Sequence, residues 1–166
     1  AVNISVIQLM QEDFNDFILE TIKKYDLSYR TIEIEITESV LMRSIDDVYE
    51  KLNILKDIGI RIALDDFGTG YSSLSYLKAL PITTLKIDKS FIRDMENDLM
   101  TENLTSSIIS LAHQLDLEVV AEGVENLGQF ERIKKYKGNR IQGYYFAKPM
   151  PEEDIIAFID KISGRI

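Results

Sequence analysis

The feature that most constrains the fold of this chain is a regular alternation of short β-like runs with amphipathic helical stripes. The β-like runs lie at residues 2–5, 31–37, 60–65, 83–88, 117–121 and 140–146. Helical spacing of apolar residues fills the segments between them, for example at Val48, Leu52 and Leu55. Because strands that alternate with helices form parallel β/α units, the sequence predicts six parallel strands in one α/β domain.

The polar residues within the β-like runs are predicted to share one face. In the second run Ile34 and Ile36 alternate with Glu33 and Glu35, and successive side chains of a strand point to opposite faces. The same alternation in the other runs places further polar residues on the face away from the helices: Asn3, Asp65, Lys86, Asp88, Glu122 and Gln142. Most of them end their strands, where a (β/α)8 barrel keeps its active site. The pattern therefore predicts an incomplete TIM-type barrel with a polar rim.

A shared interior of carboxylates, amides and a lysine needs electrostatic compensation. Burying such groups together is costly unless metal ions or mutual pairing neutralise them. Carboxylates with asparagine suit hard cations such as Mg²⁺ or Mn²⁺. Asp65 and Asp66 precede a loop with Gly68 and Gly70, and adjacent acids of this kind can serve two ions. A purely structural network of ion pairs is the alternative interpretation.

The amino-acid composition argues against some classes of binding partner and against a membrane-spanning segment. A net charge of -9 argues against a surface for nucleic-acid polymers, which attract clustered Lys and Arg. The chain has no cysteine, and it has no apolar run near the roughly 20 residues of a membrane-spanning helix. We therefore expect a cytoplasmic protein without a membrane segment. The negative charge by itself favours a role in solubility, and an acidic chain would bind phosphates only through divalent cations held by carboxylates.

Several blocks of sequence, in order along the chain, resemble the EAL family of cyclic di-GMP phosphodiesterases. The blocks are VNIS at 2–5, EIEITES at 33–39, DDFGTGYSSL at 65–74, LKID at 85–88, AEGVE at 121–125 and QGY at 142–144. The resemblance implies a (β/α)8 barrel of which about six of eight strands are present. It also implies a hydrolase that converts cyclic di-GMP to linear pGpG with two Mg²⁺ or Mn²⁺ ions.

The resemblance implies a role for each matching residue. Asn3, Glu35 and Asp65 resemble ligands of a first metal. Asp65 resembles a bridge to a second ion, which Asp66 and Glu122 help to hold. These five side chains are therefore the expected metal ligands.

Other matching residues are expected to act on the substrate or to support the site. Lys86 resembles the residue that contacts the nucleophilic water or the phosphate, Asp88 resembles a partner that orients it, and Glu122 is implied to share the role of base. Gln142 matches a position near the second metal, and Glu38 matches a support for the loop at 66–73. Two weaker candidates for support or substrate binding are Glu125, otherwise a surface acid, and Tyr144, otherwise a core aromatic.

The chain is shorter than a complete barrel. A full (β/α)8 barrel takes about 250 residues, whereas this chain has 166 and lacks a Glu-Ala-Leu motif. We expect residues 1–166 to be the C-terminal portion of a single EAL-type barrel domain, with its first two strands and one metal-binding glutamate absent. Loss of that glutamate is expected to weaken binding of the first ion, and whether the fragment is active or inactive by itself stays open. A preceding segment or a second copy in a homo-oligomer would cover the open barrel edge.

Two other functions stay open at this point. A degenerate member of the family would bind cyclic di-GMP as a receptor without hydrolysing it. An enolase-like barrel enzyme would use the strand-end acids for Mg²⁺ and Lys86 as a base on a carbon acid.

Overall fold

A computed structural model of the chain describes residues 1–38, 45–70 and 74–163. In this part of the chain six strands follow one another: β1 (Val2–Asn3), β2 (Glu33–Thr37), β3 (Arg61–Phe67), β4 (Thr84–Ile87), β5 (Glu118–Glu122) and β6 (Arg140–Gln142). They form one sheet in the order β1-β2-β3-β4-β5-β6, and every neighbouring pair is parallel. The prediction of parallel β/α units is confirmed.

Helices connect the strands and cover one face of the sheet. They are α1 (Val6–Leu9), α2 (Phe14–Lys24), α3 (Ile45–Ile58), α4 (Leu74–Ala79), α5 (Lys89–Asp94), α6 (Leu99–Gln114), α7 (Leu127–Lys135) and α8 (Glu152–Ser163), with a short 3-10 turn at Tyr29–Thr31. None of the helices in the described part of the chain combines the length and the apolar character needed to cross a membrane.

The hydrophobic core lies between the helices and the apolar face of the strands. Strand residues Ile36, Ile62 and Leu85 are completely buried there, as predicted from their alternation with polar residues. Leu52 and Leu55 of α3 are equally buried and pack against this face. Since the helices take the apolar face, the polar strand residues point to the other side.

The polar face is concave, because the sheet is curled. Arg140 Nη2 of β6 lies 2.9 Å from Glu33 Oε2 of β2, although three strands separate β2 from β6 in the sheet. Such a contact requires the two strands to approach each other across an enclosed interior. The six strands therefore form a curled half-barrel, and the expected TIM-type architecture with about six of eight strands is confirmed.

Three predicted strand ends differ from the structure by two residues or more, and β2 begins at Glu33 rather than at residue 31. β1 ends at Asn3 rather than at residue 5, because the Ser5 side chain accepts a hydrogen bond from Gln8 N–H and caps α1. β3 continues to Phe67, beyond the predicted end at residue 65. β6 ends at Gln142 rather than at residue 146.

The early end of β6 has a steric cause at Gly143. The backbone of Val124 approaches so closely that a Cβ atom on Gly143 would lie 2.1 Å from the Val124 oxygen. The chain then turns, with Tyr145 N–H donating to Val124 O at 2.9 Å and Phe146 N–H donating to Gly143 O at 3.2 Å. Tyr144 therefore lies in a turn at the rim of the half-barrel and is 56% exposed, rather than filling the core.

Candidate active site

A buried lysine at the carboxyl end of β4 holds carboxylates from three other strands. Lys86 Nζ lies 2.9 Å from Glu35 Oε1 of β2, 2.9 Å from Asp65 Oδ1 of β3 and 2.7 Å from Glu122 Oε1 of β5. Only 4% of Lys86 is exposed. These four residues, which we call the rim cluster, were all predicted from the sequence to meet at this end of the barrel.

The rim cluster carries more negative than positive charge. Burial alone would lower the pKa of Lys86, but the hydrogen bonds with Glu122, Glu35 and Asp65 outweigh it and raise the pKa, so the ammonium stays charged. Burial raises the pKa of Glu122; Lys86 opposes this effect, while the charges of Asp65 and Glu35 add to it. Three carboxylates thus face one ammonium, and the excess charge attracts cations.

A β-bulge in β3 directs a second aspartate towards the cluster. Leu64 pairs with Leu85 and Phe67 pairs with Ile87, so that two residues of β3 oppose one residue of β4. The two residues opposite Lys86 are Asp65 and Asp66, and Asp66 adopts a left-handed φ of 55°. Without this bulge, adjacent residues of a strand would point to opposite faces.

The bulge brings oxygen atoms of three acids within metal-binding distance of one another. One carboxylate oxygen from each of Asp65, Asp66 and Glu122 lies within 4.8 Å of the others. Burial raises the pKa of Asp66, and the charges of Asp65 and Asp88 raise it further. A divalent ion bound among these oxygens would relieve that repulsion.

Asn3 and Gln142 extend the site to both edges of the half-barrel. Asn3 pairs with Glu35, and Gln142 pairs with Glu122. Residues paired directly in adjacent parallel strands point to the same face, so both amides lie on the side of the rim cluster. Both residues are exposed. Their roles as metal ligand and as neighbour of the second metal stay predictions.

Glu38 supports the loop that follows β3. This side chain is 7% exposed, and its Oε2 accepts a hydrogen bond from Gly70 N–H at 3.2 Å. A Cβ atom on Gly70 would lie 2.9 Å from the carboxyl carbon of Glu38. The contact agrees with the predicted loop support as far as Gly70; residues 71–73 of the loop lie outside the described residues.

Asp88 caps the helix that follows β4. Its side chain accepts hydrogen bonds from Ser90 N–H and Ser90 Oγ and caps α5. Burial would raise the pKa of Asp88, but these bonds outweigh it and lower the pKa. Among the described residues the ion-pair partners of Lys86 are Glu35, Asp65 and Glu122. These hydrogen bonds account for the capping of α5 and give no evidence for catalysis. The catalytic role of Asp88 stays a prediction.

A cleft of about 490 Å³ adjoins the cluster on the β6 side. Its lining includes Glu122 and Gln142 together with the weaker candidates Glu125 and Tyr144. Lys148, which the sequence did not single out, also lines it and lies 5.6 Å from the centroid of the Tyr144 ring. The cleft joins the acidic cluster to a partly apolar surface with a cation and an aromatic ring.

A second group of polar side chains lies on the same face of the half-barrel, and the sequence analysis, which placed Glu33 on that face, did not predict that the group pairs with itself. This group, the interior tier, comprises Glu33, Arg61, Thr84, Glu118 and Arg140. Each member lies two or four residues before a polar rim residue of the same strand. Its side chain therefore points to the same face. The alternation that placed Glu33 and Glu35 on the polar face also places Thr84 there, two residues before Lys86, but it does not show which of these side chains pair.

Comparisons with known proteins agree with this geometry. The EAL domain family matches residues 1–149. The chain belongs to the EAL domain family. It is 45% identical over 159 residues to the signaling protein YkoW of Bacillus subtilis, a match that covers 96% of this chain and 20% of YkoW. Across the first curated relatives, the EAL chain spans between 20% and 26% of their length.

Solved structures of EAL proteins share the fold of this EAL chain. The PaMucR phosphodiesterase in complex with c-di-GMP superposes with a TM-score of 0.87 at 38% identity, covering 92% of this chain and 62% of that one. The manganese/cy-diGMP complex of Klebsiella pneumoniae BlrP1 superposes with a TM-score of 0.81 at 27% identity, covering 89% and 38%. Relatives of this EAL domain therefore include phosphodiesterases and complexes with a divalent metal and the dinucleotide.

Proposed function

We propose that this EAL domain is part of a cyclic di-GMP-specific phosphodiesterase that hydrolyses cyclic di-GMP to linear pGpG with two Mg²⁺ or Mn²⁺ ions. The observation that carries the proposal is the meeting of Asp65, Asp66 and Glu122 oxygens within 4.8 Å at the carboxyl ends of the strands. The EAL relatives solved with c-di-GMP, one of them with manganese, support the choice of substrate and metal.

The donor atoms fit hard divalent cations. The chain contains no cysteine, and the groups that can bind a cation at the described part of the rim are carboxylate and amide oxygens, next to one ammonium that cannot. Oxygen donors of this kind select Mg²⁺ and Mn²⁺. We assign Asn3, Glu35 and Asp65 to a first ion, and Asp65, Asp66 and Glu122 to a second.

When bound by these residues, the ions would supply a deprotonated water at neutral pH and would neutralise charge on the phosphoryl oxygens. In the hydrolysis a water oxygen forms a bond to phosphorus, the bond from phosphorus to the 3′ oxygen breaks, and the 3′ oxygen takes up a proton. Glu122 is suited to accept a proton from the water because burial raises its pKa. Lys86 supplies a fixed positive charge for the phosphate or the attacking oxygen.

The cleft beside Glu122 is the proposed position of the dinucleotide. Gln142 lines this cleft and pairs with Glu122 of the adjacent strand, and Tyr144 offers an exposed ring against which a base can stack. Glu125 and Lys148 supply hydrogen-bonding groups along the same wall. Glu38 acts indirectly, because it holds the loop that begins with Asp66.

The test is hydrolysis of cyclic di-GMP by the full-length protein, followed by chromatographic separation of pGpG in the presence of Mg²⁺ or Mn²⁺. Asp65→Asn should lower turnover at least about 100-fold, since it replaces the charged ligand that both ions share by a neutral amide, and even changes to groups that only support a ligand cost about 10- to 100-fold. Asp116→Asn is the matched control, because Asp116 is an exposed residue in the turn before β5. Wild-type activity in Asp65→Asn would contradict the metal assignment, and binding without hydrolysis would identify a receptor.

We also propose that further residues cover the open side of the half-barrel between β6 and β1. The outward residues Ile155, Ile156 and Ile159 of α8 are 40%, 68% and 52% exposed, respectively, and an uncovered sheet edge invites pairing. Additional β/α units of a longer chain would cover this side, or a second copy would do so in a homo-oligomer. Gel filtration with light scattering tests the proposal; a compact monomer of residues 1–166 that melts cooperatively would contradict both forms of cover.

A further inference from the structure

We propose that Lys86 is a built-in counter-cation that competes with the divalent ions for the oxygens of Glu35, Asp65 and Glu122, and so sets the affinity of the site for metal. The inference rests on the proposed function, because it concerns the same carboxylates. It gives Lys86 a role before the hydrolysis begins. In that role Lys86 sets the affinity with which the site binds its metal ions.

The first argument is a count of hydrogen-bond donors. A lysine ammonium has three N–H donors and no acceptor. Glu35, Asp65 and Glu122 lie 2.9, 2.9 and 2.7 Å from Lys86 Nζ, so one carboxylate is available for each donor. Lys86 can therefore contact a water or a phosphate only after it gives up at least one of these carboxylates.

The second argument is that the ammonium and the ions need the same carboxylate groups. Asp65 Oδ1, which contacts Lys86, also accepts a hydrogen bond from Asp66 N–H at 3.0 Å. Asp65 and Glu122 belong both to the partners of Lys86 and to the group of acids with oxygens close enough to share a metal. A divalent ion on these oxygens would meet the ammonium at short range, where like charges repel.

The third argument is the position of Lys86 within the fold. The side chain is 5% exposed and comes from the central region of the sheet, between the strands that supply its partners. A buried stem cannot leave the interior, so the ammonium can move only a short way along the rim. We infer that it holds the acids together when no ion is bound and yields some of them when an ion binds.

The experiment measures Mn²⁺ binding by electron paramagnetic resonance with EDTA-treated protein. The variants are Lys86→Met and Lys89→Met. Methionine keeps about the length of the lysine side chain and removes its charge. Lys89 is exposed and lines the cleft next to Glu122, so its variant controls for the loss of one nearby charge. We expect Lys86→Met to bind Mn²⁺ at least about tenfold more tightly than the wild type, and Lys89→Met to change less than about threefold.

The outcomes separate this inference from the proposed function. If the wild type binds Mn²⁺ and Lys86→Met binds with unchanged or lower affinity, the competition is refuted while the metal site stands. Equal tightening in both lysine variants would also refute it, since net charge alone would then explain the effect. If neither the wild type nor Lys86→Met binds Mn²⁺, the metal site fails and the inference fails with it.

A second measurement avoids any folding defect of the Lys86 variant. The nitrogen-15 signal of the Lys86 ammonium in the wild-type protein reports its hydrogen bonds directly. We expect that signal to shift or to broaden when Mg²⁺ is added to saturation, because at least one carboxylate partner is lost. A Lys86 signal that does not change while Mg²⁺ binds would overturn the inference.

Discussion

Replacing Glu33 by glutamine tests whether the interior tier braces the half-barrel. Glu33 is 12% exposed in its side chain, and its carboxylate lies 3.2 Å from Arg61 Nε and 2.9 Å from Arg140 Nη2. It also accepts a hydrogen bond from Thr84 Oγ1 at 3.0 Å. One carboxylate therefore connects β3, β4 and β6 to β2 across the interior.

The expected cost follows from these contacts. Hydrogen bonds to charged groups contribute about 1.5–3 kcal/mol each, but the side chains of Arg61 and Arg140 are 33% and 39% exposed, which weakens both pairs. Glutamine retains one oxygen acceptor for Thr84. We expect Glu33→Gln to lower the free energy of unfolding by about 2 kcal/mol, which corresponds to about 4–8 °C in melting temperature for a chain of this size.

The pH dependence gives a second signature. Burial would raise the pKa of Glu33, but Arg140, Thr84 and Arg61 outweigh it and lower the pKa below the usual 4.5. A carboxylate with a lowered pKa contributes stability above its unfolded pKa and loses it as the pH falls through the folded pKa. The difference between wild type and Glu33→Gln should therefore be largest at neutral pH and should shrink below 4.5.

The assay is urea unfolding followed by circular dichroism at neutral and acidic pH. Glu20→Gln is the control, since Glu20 is exposed on α2, and such surface changes stay within about 0.5 kcal/mol. If Glu33→Gln is as stable as this control at neutral pH, the interior tier does not brace the sheet. A loss of stability that does not depend on pH would refute the electrostatic explanation.

Two glycine substitutions test close approaches in the structure. Gly143→Ala should lower the free energy of unfolding by more than about 2 kcal/mol in urea, because the new Cβ would lie 2.1 Å from the Val124 backbone oxygen. A variant as stable as the wild type would contradict the turn after β6. Gly70→Ala should displace Glu38, since its Cβ would lie 2.9 Å from the carboxyl carbon of that side chain. We expect lower phosphodiesterase activity from Gly70→Ala with less than about 1 kcal/mol lost in urea unfolding, whereas unchanged turnover would argue against loop support by Glu38.

The sequence by itself determined which residues face the core and which face the interior. The alternation of Ile34 and Ile36 with Glu33 and Glu35 reflects the period of two in a strand, and that period is local. The sequence alone therefore predicts six parallel strands and a polar rim that contains Glu35, Asp65, Lys86 and Glu122. The motifs and their order along the chain also indicated the EAL family from the sequence alone.

Only the tertiary structure decided which of these residues touch. The bulge that turns both Asp65 and Asp66 to one side depends on the register between β3 and β4, which is a property of two strands and not of one. The pairing of Glu33 with Arg140 depends on the curl of the whole sheet, and the turn at Gly143 depends on the backbone of Val124. Contacts between residues distant in sequence are set by packing of the complete chain, so no local pattern reveals them.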